Sequence, residues 1–168
     1  MQSKINELFS RNKVYVSNSQ TIYPACDYVL YFDGCCRGNP GASGIGAVIY
    51  KDKQIIWKGS EFIGTRTNNQ SEYMALILGL KNGLELGIKR LTVRGDSQLV
   101  ISQMNGKYKV NSSLLMALYE QTKILCKSFA EVTFSHVYRN ENTFADALAN
   151  NAVDKIIHLI ENEKMNED

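Results

Sequence analysis

The three residues Lys51, Asp52 and Lys53 constrain this chain more tightly than any other feature. They separate two strand-like segments, residues 45–50 and 54–63. A link that short allows a hairpin and excludes a parallel crossover, which takes a dozen or more residues. Just ahead, residues 28–33 (YVLYFD) form an unbroken apolar run of the kind a buried strand shows. Three extended segments joined tightly must begin the fold as an antiparallel unit.

The period then changes. Tyr73, Leu76, Leu80 and Leu84 recur at helical spacing within residues 69–86, and Gly87 is a natural stop. Residues 91–96 (LTVRGD) are extended again, with a short helix from Ser97. Residues 111–113 (NSS) offer caps for a helix carrying Leu115, Leu118, Thr122 and Leu125. Residues 132–138 (VTFSHVY) alternate like a strand. From Thr143 a last helix sets Ala145, Leu148, Ala152, Ile156 and Ile160 on one side. Strands separated by helices pair in parallel, so the expected class is α/β, a mixed sheet flanked by helices. The expected domain is 28–160. It follows an extension at 1–27, which holds one short strand-like stretch, and precedes an acidic tail at 161–168 that frays.

With 168 residues the chain holds one well-cored domain. A net charge of +2 means that any basic footprint is local. The four cysteines, Cys26, Cys35, Cys36 and Cys126, form no C-x-x-C pair and read as reduced thiols of a cytoplasmic protein. The first residues lack the apolar core of a secretory signal, and no apolar run approaches the ~20 residues of a membrane span.

Four carboxylates fall at element junctions: Asp33, Glu72, Asp96 and Asp146. Each has a local explanation. Asp33–Gly34 suits a turn, Asn69 with Glu72 and Thr143 with Asp146 suit capping boxes, and Asp96 suits a helix cap. Together they suggest more. Asp33 and Asp96 end strands expected to lie side by side, and a charge among apolar residues is costly unless paired or metal-bound. Converging carboxylates repel one another until a divalent cation intervenes. An all-oxygen donor set favours two Mg2+ ions, with Mn2+ able to substitute, in the arrangement that serves phosphoryl transfer. Nearby, "RGNPGASG" (37–44) permits close backbone approach, and "TRTNN" (65–69) supplies donors suited to phosphates and sugars.

These segments resemble type 1 ribonuclease H. The likeness rests on four ordered blocks, "YFDGCCRGNPGASGIGAVIY", "TNNQSEYMALILGL", "VRGDSQLV" and "HVYRNENTFADALAN", and runs from about Tyr28 to Val153. It implies a five-stranded mixed sheet in the order 3-2-1-4-5. It implies hydrolysis of the RNA strand of an RNA/DNA hybrid, with little sequence preference, leaving 5′-phosphate and 3′-hydroxyl ends. Asp33, Glu72, Asp96 and Asp146 match the family's metal-binding acids. Asn39 and Thr67 match positions that seat a DNA-strand phosphate. Asn68, Asn69 and Gln98 match minor-groove contacts, and Cys36 lines the hybrid groove. The basic helical handle of many members is absent: residues 104–114 (MNGKYKVNSSL) hold only Lys107 and Lys109, as in a short branch of the family. A histidine assists product release in many members. His136 has the usual spacing but sits in a strand-like segment, so Arg139 is the favoured residue and His136 the second. The resemblance implies a monomer acting on hybrid, with no membrane partner. A kinase-like ATPase would need a second lobe, for which there is no room, and a binding-only module would lack an acid.

Overall fold

The computed structural model describes residues 28–166, together with the backbone of Val14–Val16 and Ile22–Pro24. Those two short strands, β1 (Val14–Val16) and β2 (Ile22–Pro24), pair antiparallel. Cys26 and the rest of the 1–27 extension lie outside the described residues, as do residues 167 and 168.

The main sheet has five strands: β3 (Tyr28–Gly38), β4 (Gly41–Lys51), β5 (Gln54–Arg66), β6 (Arg90–Gly95) and β7 (Glu131–His136). Their spatial order is β5-β4-β3-β6-β7. Counted from the sheet's own first strand this is 3-2-1-4-5, the expected order. The β3–β4 and β4–β5 pairs are antiparallel, and β3–β6 and β6–β7 are parallel. Four α-helices lie among the described residues: α1 (Asn68–Glu85), α2 (Gln98–Met104), α3 (Ser113–Cys126) and α4 (Thr143–Asn166). No helix lies between α2 and α3, where Lys107 and Lys109 are exposed. The acidic tail is helical to Asn166 rather than starting apart from α4 at residue 161. Among the described residues no helix is long and apolar enough to cross a membrane.

Strand periodicity assigns the faces. Leu30 and Phe32 of β3 and Leu91 and Val93 of β6 are fully or almost fully buried with Tyr73, Leu76 and Leu80 of α1. Each such side chain contributes roughly 1.5–3 kcal/mol of burial free energy. Helix α4 covers β4 on the opposite face through Ala145, Ala149, Ala152 and Val153. The stretch 37–44 was expected to be a loop approaching a ligand. It is instead the tip of a long hairpin, with Gly38 paired to Gly41. Its small residues serve packing. A Cβ at Gly44 would lie 2.3 Å from the Ala149 carbonyl oxygen, and one at Gly46 would lie 2.4 Å from that of Ala145. The glycines let α4 rest directly on β4, which moves the start of that helix toward the ends of β3 and β6.

Candidate active site

Continuing the β3–β6 register from Tyr31↔Arg94 carries Asp33 beside Asp96 on the face shared with α4. Glu72 arrives from the first turns of α1 and Asp146 from the first turn of α4. Asp33, Glu72 and Asp96 each bring one carboxylate oxygen within 4.8 Å of the others. Asp33 and Glu72 are 5% and 6% exposed. Asp146 lines the same open cleft, along with Cys36, Arg37, Asn68, Ser97, His136, Tyr138, Arg139 and Asn150.

Local chemistry frees each acid for the cleft. Helix α1 is capped by Thr67, whose hydroxyl accepts from the Gln70 N–H at 3.2 Å while the Gln70 side chain accepts from the Thr67 N–H at 2.9 Å. The capping box expected of Asn69 and Glu72 therefore does not form, and Glu72 turns inward to accept from the Gly34 N–H at 3.2 Å. Gly34 makes that possible: a Cβ there would lie 2.4 Å from the Ser71 carbonyl carbon. Ser97, not Asp96, caps α2, accepting from the Val100 N–H at 3.3 Å. The Asp146 carboxylate takes Asn150 Nδ2 at 3.1 Å and Arg139 Nη2 at 3.5 Å instead of capping α4.

Burial, then Asp96, then Asp146 push the Asp33 carboxyl up to about 8. Burial, Asp33 and Asp96 hold Glu72 well above the ordinary carboxylate range, against the opposing Gly34 N–H. Without a cation, the cluster retains protons that belong to the group rather than to one residue. A divalent ion would replace them. The donor set fits a hard cation, because the converging atoms are carboxylate oxygens. The two cleft-side thiols lie outside that set. Cys36 Sγ is bonded to the Gly38 and Arg66 carbonyls, and burial raises the Cys35 thiol.

The remaining expected residues divide. Cys36 and Asn68 line the cleft. Asn39 is tied to its edge, its Oδ1 accepting from the Asn68 N–H at 3.1 Å, and Thr67 is the helix cap. Asn69 and Gln98 are exposed at the starts of α1 and α2 and do not line the cleft; Gln98 Nε2 donates to Ser102 Oγ at 2.8 Å. Arg139 and His136 both stand on the rim, with His136 Nε2 3.2 Å from the Asp96 carbonyl oxygen. Sequence reasoning missed Arg37, Asn142 and Asn150. Arg37 donates to Asn150 Oδ1 and pairs with Asp154, both at 2.8 Å. The signal for Asn150 was present, since it follows Asp146 by one helical turn.

Asp33 lies mid-strand in β3, which runs on to Gly38, rather than ending it as expected. A mixed 3-2-1-4-5 sheet with carboxylates gathered at the middle of its first strand and the end of its fourth defines a ribonuclease H-like α/β domain. Residues 31–152 match the family model described as reverse transcriptase-like. The chain is 33% identical over 147 residues to ribonuclease H of Pseudomonas entomophila, covering 76% of this chain and 93% of that protein. It is 41% identical over 128 residues to bifunctional protein Rv2228c of Mycobacterium tuberculosis, covering 75% of this chain and 35% of that protein. The chain thus spans about a third of the length of the mycobacterial relatives it matches. The structure of LC11-RNase H1 in complex with RNA/DNA hybrid is similar at TM-score 0.74 and 37% identity, covering 77% of this chain and 99% of that one. The chain belongs to the ribonuclease H family.

Proposed function

We propose that this protein is a divalent-metal-dependent endoribonuclease. It hydrolyses the RNA strand of RNA/DNA hybrids with little sequence preference and leaves 5′-phosphate and 3′-hydroxyl ends. The observation that carries this reading is the convergence of Asp33, Glu72 and Asp96, with Asp146 on the rim of the same cleft. Those four acids would hold the metal. Magnesium ions bound there, two in this proposal with manganese able to substitute, supply positive charge against the scissile phosphate.

The chain's own residues position the strand. Asn68 and Cys36 line the cleft, where Cys36 would border the hybrid and Asn68 would contact its minor groove. Asn39 and Thr67 adjoin at the α1 N-terminus, where a DNA-strand phosphate would sit against their side chains and the positive end of the helix. Asn69 and Gln98, exposed at neighbouring helix starts, would reach the minor groove, where a hybrid displays 2′-hydroxyls. The Arg139 guanidinium beside Asp146 places a movable positive charge on the rim for the departing phosphate, with His136 as the second choice. All four acids come from one chain, which supports a monomer. The described cysteines, Cys35, Cys36 and Cys126, are free thiols, which fits the cytoplasm. In this reading 28–160 is the catalytic domain, 1–27 an extension and 161–168 a tail.

Labelled RNA/DNA hybrid, double-stranded RNA and duplex DNA, each with Mg2+, Mn2+ or EDTA, test the proposal. The expected result is cleavage of the RNA strand in hybrid alone, abolished by EDTA. Binding of hybrid without cleavage under either metal would refute the catalytic reading.

A further inference from the structure

Asn142, between the turn at Arg139–Glu141 and α4, is 1% exposed. Its Nδ2 donates to the Phe32 carbonyl at 2.9 Å and to Asp96 Oδ1 at 3.3 Å. Phe32 immediately precedes Asp33. The Asn142 backbone carbonyl accepts from the Asp146 N–H at 3.1 Å. One buried residue therefore touches the backbone beside Asp33, the carboxylate of Asp96 and the amide of Asp146, and these acids come from three different elements.

The carboxamide has only one workable orientation. Both groups facing Nδ2 are acceptors, so a flipped amide would set oxygen against oxygen. Asn142 Oδ1 is buried with no hydrogen-bond partner. A buried acceptor without a partner is unfavourable, and a residue chosen only for stability would avoid it. The two donor contacts account for its presence.

We infer that Asn142 is a positioning residue that fixes the Asp96 carboxylate against β3 and so presets the gap in which Asp33 and Asp96 receive a divalent cation. The inference rests on the metal-dependent reading above. It adds a role for a side chain that touches neither substrate nor metal. Partners that orient metal ligands typically change metal affinity or activity by about 10–100-fold when removed.

The experiment uses the full chain, wild type and the variants Asn142→Ala, Asn142→Ser and Asn142→Asp. Calorimetric titration with Mg2+ alone gives metal affinity without any turnover. Hybrid cleavage gives kcat and KM, and thermal melting in EDTA reports the fold. For Asn142→Ala we expect Mg2+ affinity and kcat to fall about 10–100-fold with KM within about threefold of wild type. Asn142→Ser, which restores one donor, should recover part of both. Asn142→Asp keeps the shape but turns a donor into an acceptor beside Asp96, and it should lose at least as much as Asn142→Ala. Should Asn142→Ala fail to fold, the serine variant carries the test. Folded variants with wild-type Mg2+ affinity and wild-type kcat would overturn the inference, even if their melting points fell. A wild-type protein that binds Mg2+ but cleaves no hybrid would sink the functional reading and leave the calorimetric comparison decisive for Asn142.

Discussion

Replacing Asp33 with asparagine should abolish hybrid cleavage and at the same time stabilise the metal-free protein. The two effects have one cause. Folding buries Asp33 beside Asp96 and Asp146 and raises its carboxyl from 3.8 to about 8. A raised acid opposes folding wherever the unfolded chain would ionise it. The cost is absent below pH ~4, grows as pH rises through the window between the two values, and levels off above pH ~8. At pH 7 the unfolded chain gains about three pH units of ionisation that the folded chain forgoes, worth about 4 kcal/mol at 1.36 kcal/mol per unit. That figure is a ceiling, because Asp33 shares its protons with neighbouring Glu72. The asparagine side chain has the same shape and no charge to suppress. In urea denaturation with EDTA, the D33N-minus-wild-type difference should be near zero at pH 4 and approach roughly 2–4 kcal/mol at pH 7–8. Added Mg2+ should stabilise wild type and leave D33N nearly unchanged. A difference that stays flat from pH 4 to 8, or a D33N variant less stable than wild type at pH 8, would refute the carboxylate-repulsion argument.

Other perturbations separate the site from its scaffold. Gly34→Ala drives a methyl into the Ser71 carbonyl; it should cost about 1–3 kcal/mol in denaturation and lower cleavage by displacing Glu72. Tyr73→Phe removes the hydroxyl that donates to Gln103 Oε1 at 2.7 Å; stability should fall by about 1–3 kcal/mol with kcat unchanged. Arg139→Ala should slow cleavage about tenfold, less than the loss of a buried donor because the side chain is exposed. His136→Ala should slow it less, and wild-type rates in both variants would remove either residue from the reaction.

The sheet order came from the family resemblance, whereas the turns and helical segments carried the strand directions. KDK forced one hairpin, and each later strand followed a helical segment. Sequence reasoning misread 37–44, where glycine, serine and alanine resemble a loop by composition. Those small residues are in β4 because α4 lies directly on them, and tertiary contact overrode local preference. The acids were legible as a set because the residues around each read as a junction, although Asp33 proves to lie mid-strand in β3. Their caps were not. Thr67 and Ser97 stand a few residues from equally good candidates, and only the inward turn of Glu72 and Asp96 decides between them. Asn142 was illegible for a plainer reason. In "RNENT" two asparagines sit two apart, and nothing in composition says which one is buried beneath the sheet.

The contacts around the acids also explain why this cluster tolerates its own repulsion. Glu72 is held by the Gly34 N–H, Asp96 by Asn142 Nδ2 and Asp146 by Asn150 Nδ2. Apart from the exposed Arg139 guanidinium, 3.5 Å from Asp146 on the rim, each donor comes from the backbone or from a neutral amide, so it orients a carboxylate without cancelling its charge. Arg37, a second cation on that side of the cleft, is engaged by Asn150 and Asp154 and hydrogen-bonds to Asp146 only through the Asn150 amide. Among the described residues the side-chain partners of Asp33 are themselves acids. The arrangement therefore leaves the negative charge uncompensated at its centre and rigid at its edges. A structural ion pair would be built the opposite way, with a cation at the centre. Neutral positioning around an uncompensated core is what a cation-binding site requires, and it makes the amides, more than the rim charges, the residues on which the geometry depends.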